Sequence, residues 1–289
     1  MRTTIRIAAA AAAVLAVAAV FARRTDERRR PPRRPPPTRE VRVLPPDSDI
    51  AGRVDEEHTV GAWKLMILAD TILDERVFDL QLNGRRVRAV RAATLRLEFV
   101  GQDITGDRIP DVVIQAFTGG MHCCSQALVL GLGDSLVDHG TIDGADGDIE
   151  FTDSDGDGRP EVKVGDWRFA YWRDYPFVET VVPEVVLKFR DGAWRPACDL
   201  MREEAPTERV LRQRAQDRSA GWVAGDPPPD LWEYAVDLVY AGHADLAWRF
   251  LDLAWPRRIP GREAFVTDLK ERLRGSPCWS VGPAERPSA

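Results

Sequence analysis

From about residue 60 the chain alternates apolar and polar positions with a period of two, the spacing that sends successive side chains to opposite faces of a strand. Ala62–Ala69 and Glu75–Leu82 carry the pattern. Asn83–Gly84 then separates the run containing Val77 from the run containing Val87. That dipeptide suits a two-residue hairpin turn, whose central residues take positive φ. Leu95, Leu97 and Phe99 continue the alternation, and further strands are expected at Val112–Phe117, Ala127–Leu132, Ser135–Asp138, Ile149–Thr152 and Glu161–Gly165. A last hairpin joins Val185–Phe189 to Ala193–Pro196 across Asp191–Gly192.

After Arg202 the period changes to that of a helix. Residues 206–219 are polar and helix-compatible. Leu231, Tyr234, Ala235, Leu238 and Val239 share one helical face, a turn follows at Gly242, and Leu246, Ala247, Phe250, Leu251 and Ala254 form a second face. A third segment, Arg262–Leu273, begins after Pro260–Gly261. The expected fold is therefore mainly β with a C-terminal α-helical unit. Residues 49–200 form an antiparallel β domain, sandwich-like or a partial propeller; residues 201–275 form the helical unit with its helical hairpin; residues 276–289 are a tail. The hairpin of residues 230–255 looks like a single tetratricopeptide unit, too few for a solenoid, and reads as a cap on the β domain.

The N-terminal segment has a different grammar. Arg2 and Arg6 precede an apolar, alanine-rich run from Ile7 to Phe21, followed by Ala22. A basic start, a short apolar stretch and small residues at its end form the layout of a secretory signal, so residues 1–22 are read as a signal peptide, or as a membrane anchor through residues 7–22 if left uncut. Eight Arg between Arg23 and Arg39 oppose translocation, which keeps the anchor alternative open. Residues 23–48 form an Arg/Pro-rich linker, stiffened by the polyproline-favouring stretch PPRRPPP. The expected location is exported, periplasmic or secreted.

Charge sharpens this division. Residues 1–40 hold ten Arg against three acids, so of the overall net charge of −6 the rest of the chain carries −13. An acidic body repels nucleic acid and favours cations. Two acidic loops stand out: DITGDRIPD, Asp103–Asp111, and DSDGDGRPE, Asp153–Glu161. They align position for position at a separation of 50 residues, and each joins two expected strands. Positions one, three, five and nine offer oxygens from Asp103, Thr105, Asp107 and Asp111, and from Asp153, Asp155, Asp157 and Glu161. The seventh residue, Ile109 or Arg159, offers a backbone carbonyl. Calcium takes about six to eight such hard oxygens in flexible geometry. An EF-hand needs Glu at position twelve between helices, but Ile114 and Val164 stand there in strands. Turn chemistry alone accounts for one such loop. Two aligned loops with alternating like charges call for a cation. The second loop, all carboxylate, is the stronger candidate; in the first, Thr105 replaces a carboxylate.

These loops resemble the calcium loops of the integrin-type FG-GAP repeat, also called the VCBS repeat, over about residues 95–170. The resemblance implies calcium held between strands. Two repeats are too few for a closed propeller, which takes at least four blades. The stretches TGGMHCC and FAYW (Phe169–Trp172) resemble a family of bacterial exported proteins that share these loops and a GGxHCC motif and end in a helical segment; that resemblance implies no activity.

The four cysteines are Cys123, Cys124, Cys198 and Cys278. An even count in an exported chain favours disulfides, and a bond between Cys198 and one of the adjacent pair is the expected pairing, because neighbouring cysteines close a strained ring. Met121–His122–Cys123–Cys124 also has the softness to hold copper or zinc or to cycle redox. His58, His139 and His243 read as isolated surface or packing residues. No nucleophile elbow, H-E-x-x-H, phosphate loop or dinucleotide fingerprint is present. The sequence thus points to an exported, calcium-binding, non-enzymatic protein acting on a protein or envelope partner and not on nucleic acid. A hydrolase or redox enzyme using His122, Cys123 and Cys124 is the alternative.

Overall fold

The computed structural model describes residues 41–70, 73–120 and 123–279; the signal or anchor, most of the linker, Met121, His122 and the end of the tail lie outside these residues. Among the described residues thirteen strands form three antiparallel sheets, all open. In the first, β1 (Arg42–Leu44), β5 (Arg85–Ala92), β4 (Glu75–Leu82), β3 (Trp63–Asp70) and β2 (Arg53–Val60) lie side by side in that order. The second is the meander β6 (Thr94–Gln102), β7 (Asp111–Gly120), β8 (Cys123–Leu132) and β9 (Leu136–Ala145). The third is the meander β10 (Glu150–Thr152), β11 (Glu161–Gly165), β12 (Glu184–Arg190) and β13 (Ala193–Pro196). Arg42–Leu44 is already paired with β5, so the sheet begins inside the stretch expected as linker.

Side-chain alternation stacks the sheets. On β7, Val112 and Ile114 pack with Trp63, Leu65, Phe78, Leu80 and Val90 of the first sheet, while Val113 between them packs with Val162 of the third. On β8, Leu128 and Leu130 face the first sheet, and Ala127 and Val129 the third. The central strands β7 and β8 are therefore buried on both faces, which is why Val112–Ile114 and Ala127–Leu130 read as unbroken apolar runs. Both acidic loops emerge from the two sheets that meet at this second interface.

The helical unit follows the third sheet. Its helices are α1 (Glu208–Ser219), α2 (Pro229–Tyr240), α3 (Ala244–Ala254) and α4 (Arg262–Leu273). Thr207 caps α1 by accepting the Val210 N–H, and Pro229 begins α2, where a missing N–H costs no hydrogen bond. Gly242, at φ +86°, ends α2, and the His243 N–H reaches back to the Leu238 carbonyl at 2.7 Å, the closure a left-handed glycine permits. Leu231, Trp232, Phe250, Leu251 and Phe265 join Phe169 and Val185 in one core, so the helices cap the β region as the pattern suggested. Among the described residues no helix is long and apolar enough to cross a membrane.

The cysteine pairing differs from expectation. Cys198 bonds Cys278, with Cα atoms 5.6 Å apart, and Cys124 is itself disulfide-bonded. The residues after β13 lie against those after α4, where Cys278 also approaches Met201. This bridge closes a separation of 80 residues around the whole helical unit, a loop length worth about 4.5 kcal/mol in chain entropy.

Candidate metal centres in the two acidic loops

The first loop joins β6 to β7 and the second joins β10 to β11, so each spans a hairpin of adjacent strands. Their internal hydrogen bonds match. Asp103 accepts the N–H groups of Gly106 at 2.6 Å and Arg108 at 2.9 Å; Asp153 accepts those of Gly156 at 2.8 Å and Gly158 at 3.0 Å. Asp107 accepts the Ile109 N–H and Asp157 that of Arg159. At position nine, one oxygen of Asp111 accepts the Ile104 and Thr105 N–H groups, and one oxygen of Glu161 accepts the Ser154 N–H. Gly106 and Gly156 both take positive φ, +82° and +74°, as the tight turn requires. The two loops, aligned in sequence, thus share a hydrogen-bond pattern.

Position nine is the pivot of each loop. Asp111 and Glu161 open β7 and β11 and are fully buried, at 0% exposure. Each anchors the start of its loop through one oxygen; the second, Asp111 Oδ1 or Glu161 Oε1, takes no part in that anchoring. What meets that second oxygen separates the two sites.

In the second loop it meets Lys188, from β12. Lys188 is only 8% exposed, and its ammonium lies 2.7 Å from Glu161 Oε1, 2.5 Å from Asp155 Oδ2 and 2.9 Å from Asp157 Oδ2. Burial alone would lower the Lys188 pKa, but hydrogen bonds to Asp155, Glu161 and Asp157 outweigh it and raise it. Reciprocally, Lys188, aided by the Arg159 N–H and guanidinium, holds the Asp157 carboxyl down at about 2. Asp153, Asp155 and Glu161 bring one oxygen each within 4.8 Å of one another around this centre.

In the first loop it meets His139, from β9. His139 Nε2 lies 3.3 Å from Asp111 Oδ1 and 3.5 Å from Asp107 Oδ2, and like Asp111 Oδ1 it makes no hydrogen bond. The ring is 8% exposed and held edge-on to Phe189 at 5.2 Å. Thr105 is also buried, and its hydroxyl donates to the anchoring oxygen of Asp111. Burial raises the Asp111 pKa, against the lowering effect of the Ile104 and Thr105 N–H groups and of His139.

Of the expected ligands, Asp107 and Asp111 therefore converge in the first loop, and Asp153, Asp155 and Glu161 in the second. Asp103 caps the first turn, and Asp157 completes the contact with Lys188. Ile109 is the seventh residue of its loop, where only its carbonyl was expected to serve. Arg159 pairs with Asp157 of its own loop at 3.0 Å and also lies so close to Gly106 that a side chain there would collide with it. The loops are thus neighbours, and both border one open depression of about 730 Å³. Neither Lys188 nor His139 was marked by the sequence. His139, expected to be isolated, instead faces two carboxylates; it lies 28 residues beyond Asp111 and Lys188 lies 27 beyond Glu161, separations that carry no local motif.

Compared with protein-family models, with curated proteins and with solved structures, the chain matches none.

Proposed function

We propose that this chain is a calcium-binding, non-enzymatic β protein, exported or envelope-associated, whose second acidic loop fastens the third sheet beneath the helical unit. The observation that carries the reading is the convergence of Asp155, Asp157 and Glu161 on a single cation, the Lys188 ammonium. Four carboxylates in nine residues repel one another unless a positive charge sits among them. Lys188 supplies that charge when calcium is absent. Calcium, with twice the charge and room for six to eight oxygens, takes the centre by drawing on Asp153, Asp155, Asp157 and Glu161, a backbone carbonyl and water, while the long lysine stem swings its head to solvent.

The resemblance of the second loop to FG-GAP repeats supports calcium there, and the acidic body supports a cation over a nucleic acid. The partner is a protein or another envelope component bound by a scaffold that calcium makes rigid. A calorimetric titration of the wild type and of Lys188→Met tests the reading. The variant should bind calcium more tightly, because no ammonium competes, and calcium should restore its stability. Calcium binding by neither protein would refute the assignment.

A further inference from the structure

The first loop carries a different chemistry. We infer that Asp107, Asp111 and His139 form a site for a borderline first-row divalent metal of the zinc type, distinct from the oxygen-only calcium centre. Three observations carry it. Asp111 Oδ1 and His139 Nε2 belong to side chains more than nine-tenths buried, neither atom makes a hydrogen bond, and the two lie 3.3 Å apart. A buried polar atom without a partner is costly, and a metal satisfies both atoms at once. The separations of 3.3 and 3.5 Å suit a tetrahedron whose bonds are about 2.0–2.1 Å long, with edges of about 3.3–3.4 Å.

The floor of the site is the third observation. Gly131 of β8 lies beneath it, where a Cβ would come within 2.7 Å of His139 Nε2 and 3.3 Å of Asp111 Oδ1. A side chain at 131 would fill the space between the donors. An imidazole with two carboxylates selects zinc and its neighbours over calcium, which favours oxygen throughout. Phe189 fixes the ring from one side, and Asp107, whose side chain is 32% exposed, opens the route to solvent. Three protein ligands leave a fourth position for water, facing the shared depression.

The inference does not rest on calcium in the second loop, and its test runs in calcium-free buffer. The full chain is titrated with Zn²⁺, and with Co²⁺ read by its visible absorption. The wild type should bind one ion with the intense bands of four-coordinate cobalt. His139→Gln and Asp107→Asn should each weaken zinc by more than the roughly 10–100-fold that the loss of an outer-shell partner costs. Added Ca²⁺ should not displace the ion. Zinc affinity unchanged in His139→Gln, or an ion displaced by equimolar Ca²⁺, overturns the proposal. Should His139→Gln fail to fold, the solvent-facing Asp107→Asn decides alone, and undiminished zinc binding there overturns it equally.

Discussion

The two acidic loops share a hydrogen-bond pattern, a pivotal buried carboxylate and a turn glycine, yet they treat charge in opposite ways. The second encloses a charge of its own, Lys188, within 2.9 Å of three carboxylates. The first sets a histidine 3.3 Å or more from its carboxylates, without a hydrogen bond. They also sit differently in the protein. Ile104 and Thr105 bury the start of the first loop, whereas Ser154 and Asp155 leave the second at the surface. The two loops thus separate by the residue that a third strand delivers to position nine, a lysine in one and a histidine in the other.

The largest effect that would break this comparison is on stability without metal. Lys188→Met leaves Glu161 buried and unpaired, and removing one partner of a buried ion pair costs about 3–5 kcal/mol. His139→Gln breaks no hydrogen bond and should cost about 1 kcal/mol or less by urea denaturation in chelator. Equal costs would mean that His139 closes the first loop as Lys188 closes the second. Metal should then sharpen the contrast: zinc at 100 times its Kd adds about 2.7 kcal/mol to the wild type and nothing to His139→Gln.

Acid gives a smaller and more local signal. The depressed Asp157 carboxyl contributes stability that is present above its unfolded value, near 3.8, and lost as pH falls toward about 2. Asp111 runs the other way: its raised pKa means that ionisation costs the folded protein stability as pH rises above 3.8. Carboxyl-carbon NMR in metal-free buffer should therefore show Asp111 protonating before Asp157 as pH falls. The reverse order would remove the electrostatic difference between the loops.

Much of the fold was legible because burial writes periodicity into the chain. The period-two runs located most strands, and the change to helical spacing after Arg202 located the cap. The run RVDEEHTV of β2 escaped because it lies at an edge with both faces largely solvated, where charge discourages further pairing. The pairing of Cys198 with Cys278 escaped because it depends on how the chain returns after α4, which no local pattern records. At the site, the alternation marked the carboxylates that the structure brings together, Asp107 with Asp111 and Asp153 and Asp155 with Glu161, but not that Asp103 and Thr105 bond within their own loop. The groups that distinguish the loops were not, since Lys188 and His139 reach them from other strands through sheet packing.

Anomalous diffraction from crystals soaked in zinc should show one zinc peak, bounded by Asp107, Asp111 and His139, with Lys188 still seated among Asp155, Asp157 and Glu161. A peak in the second loop with Lys188 displaced, and none beside His139, would contradict this assignment.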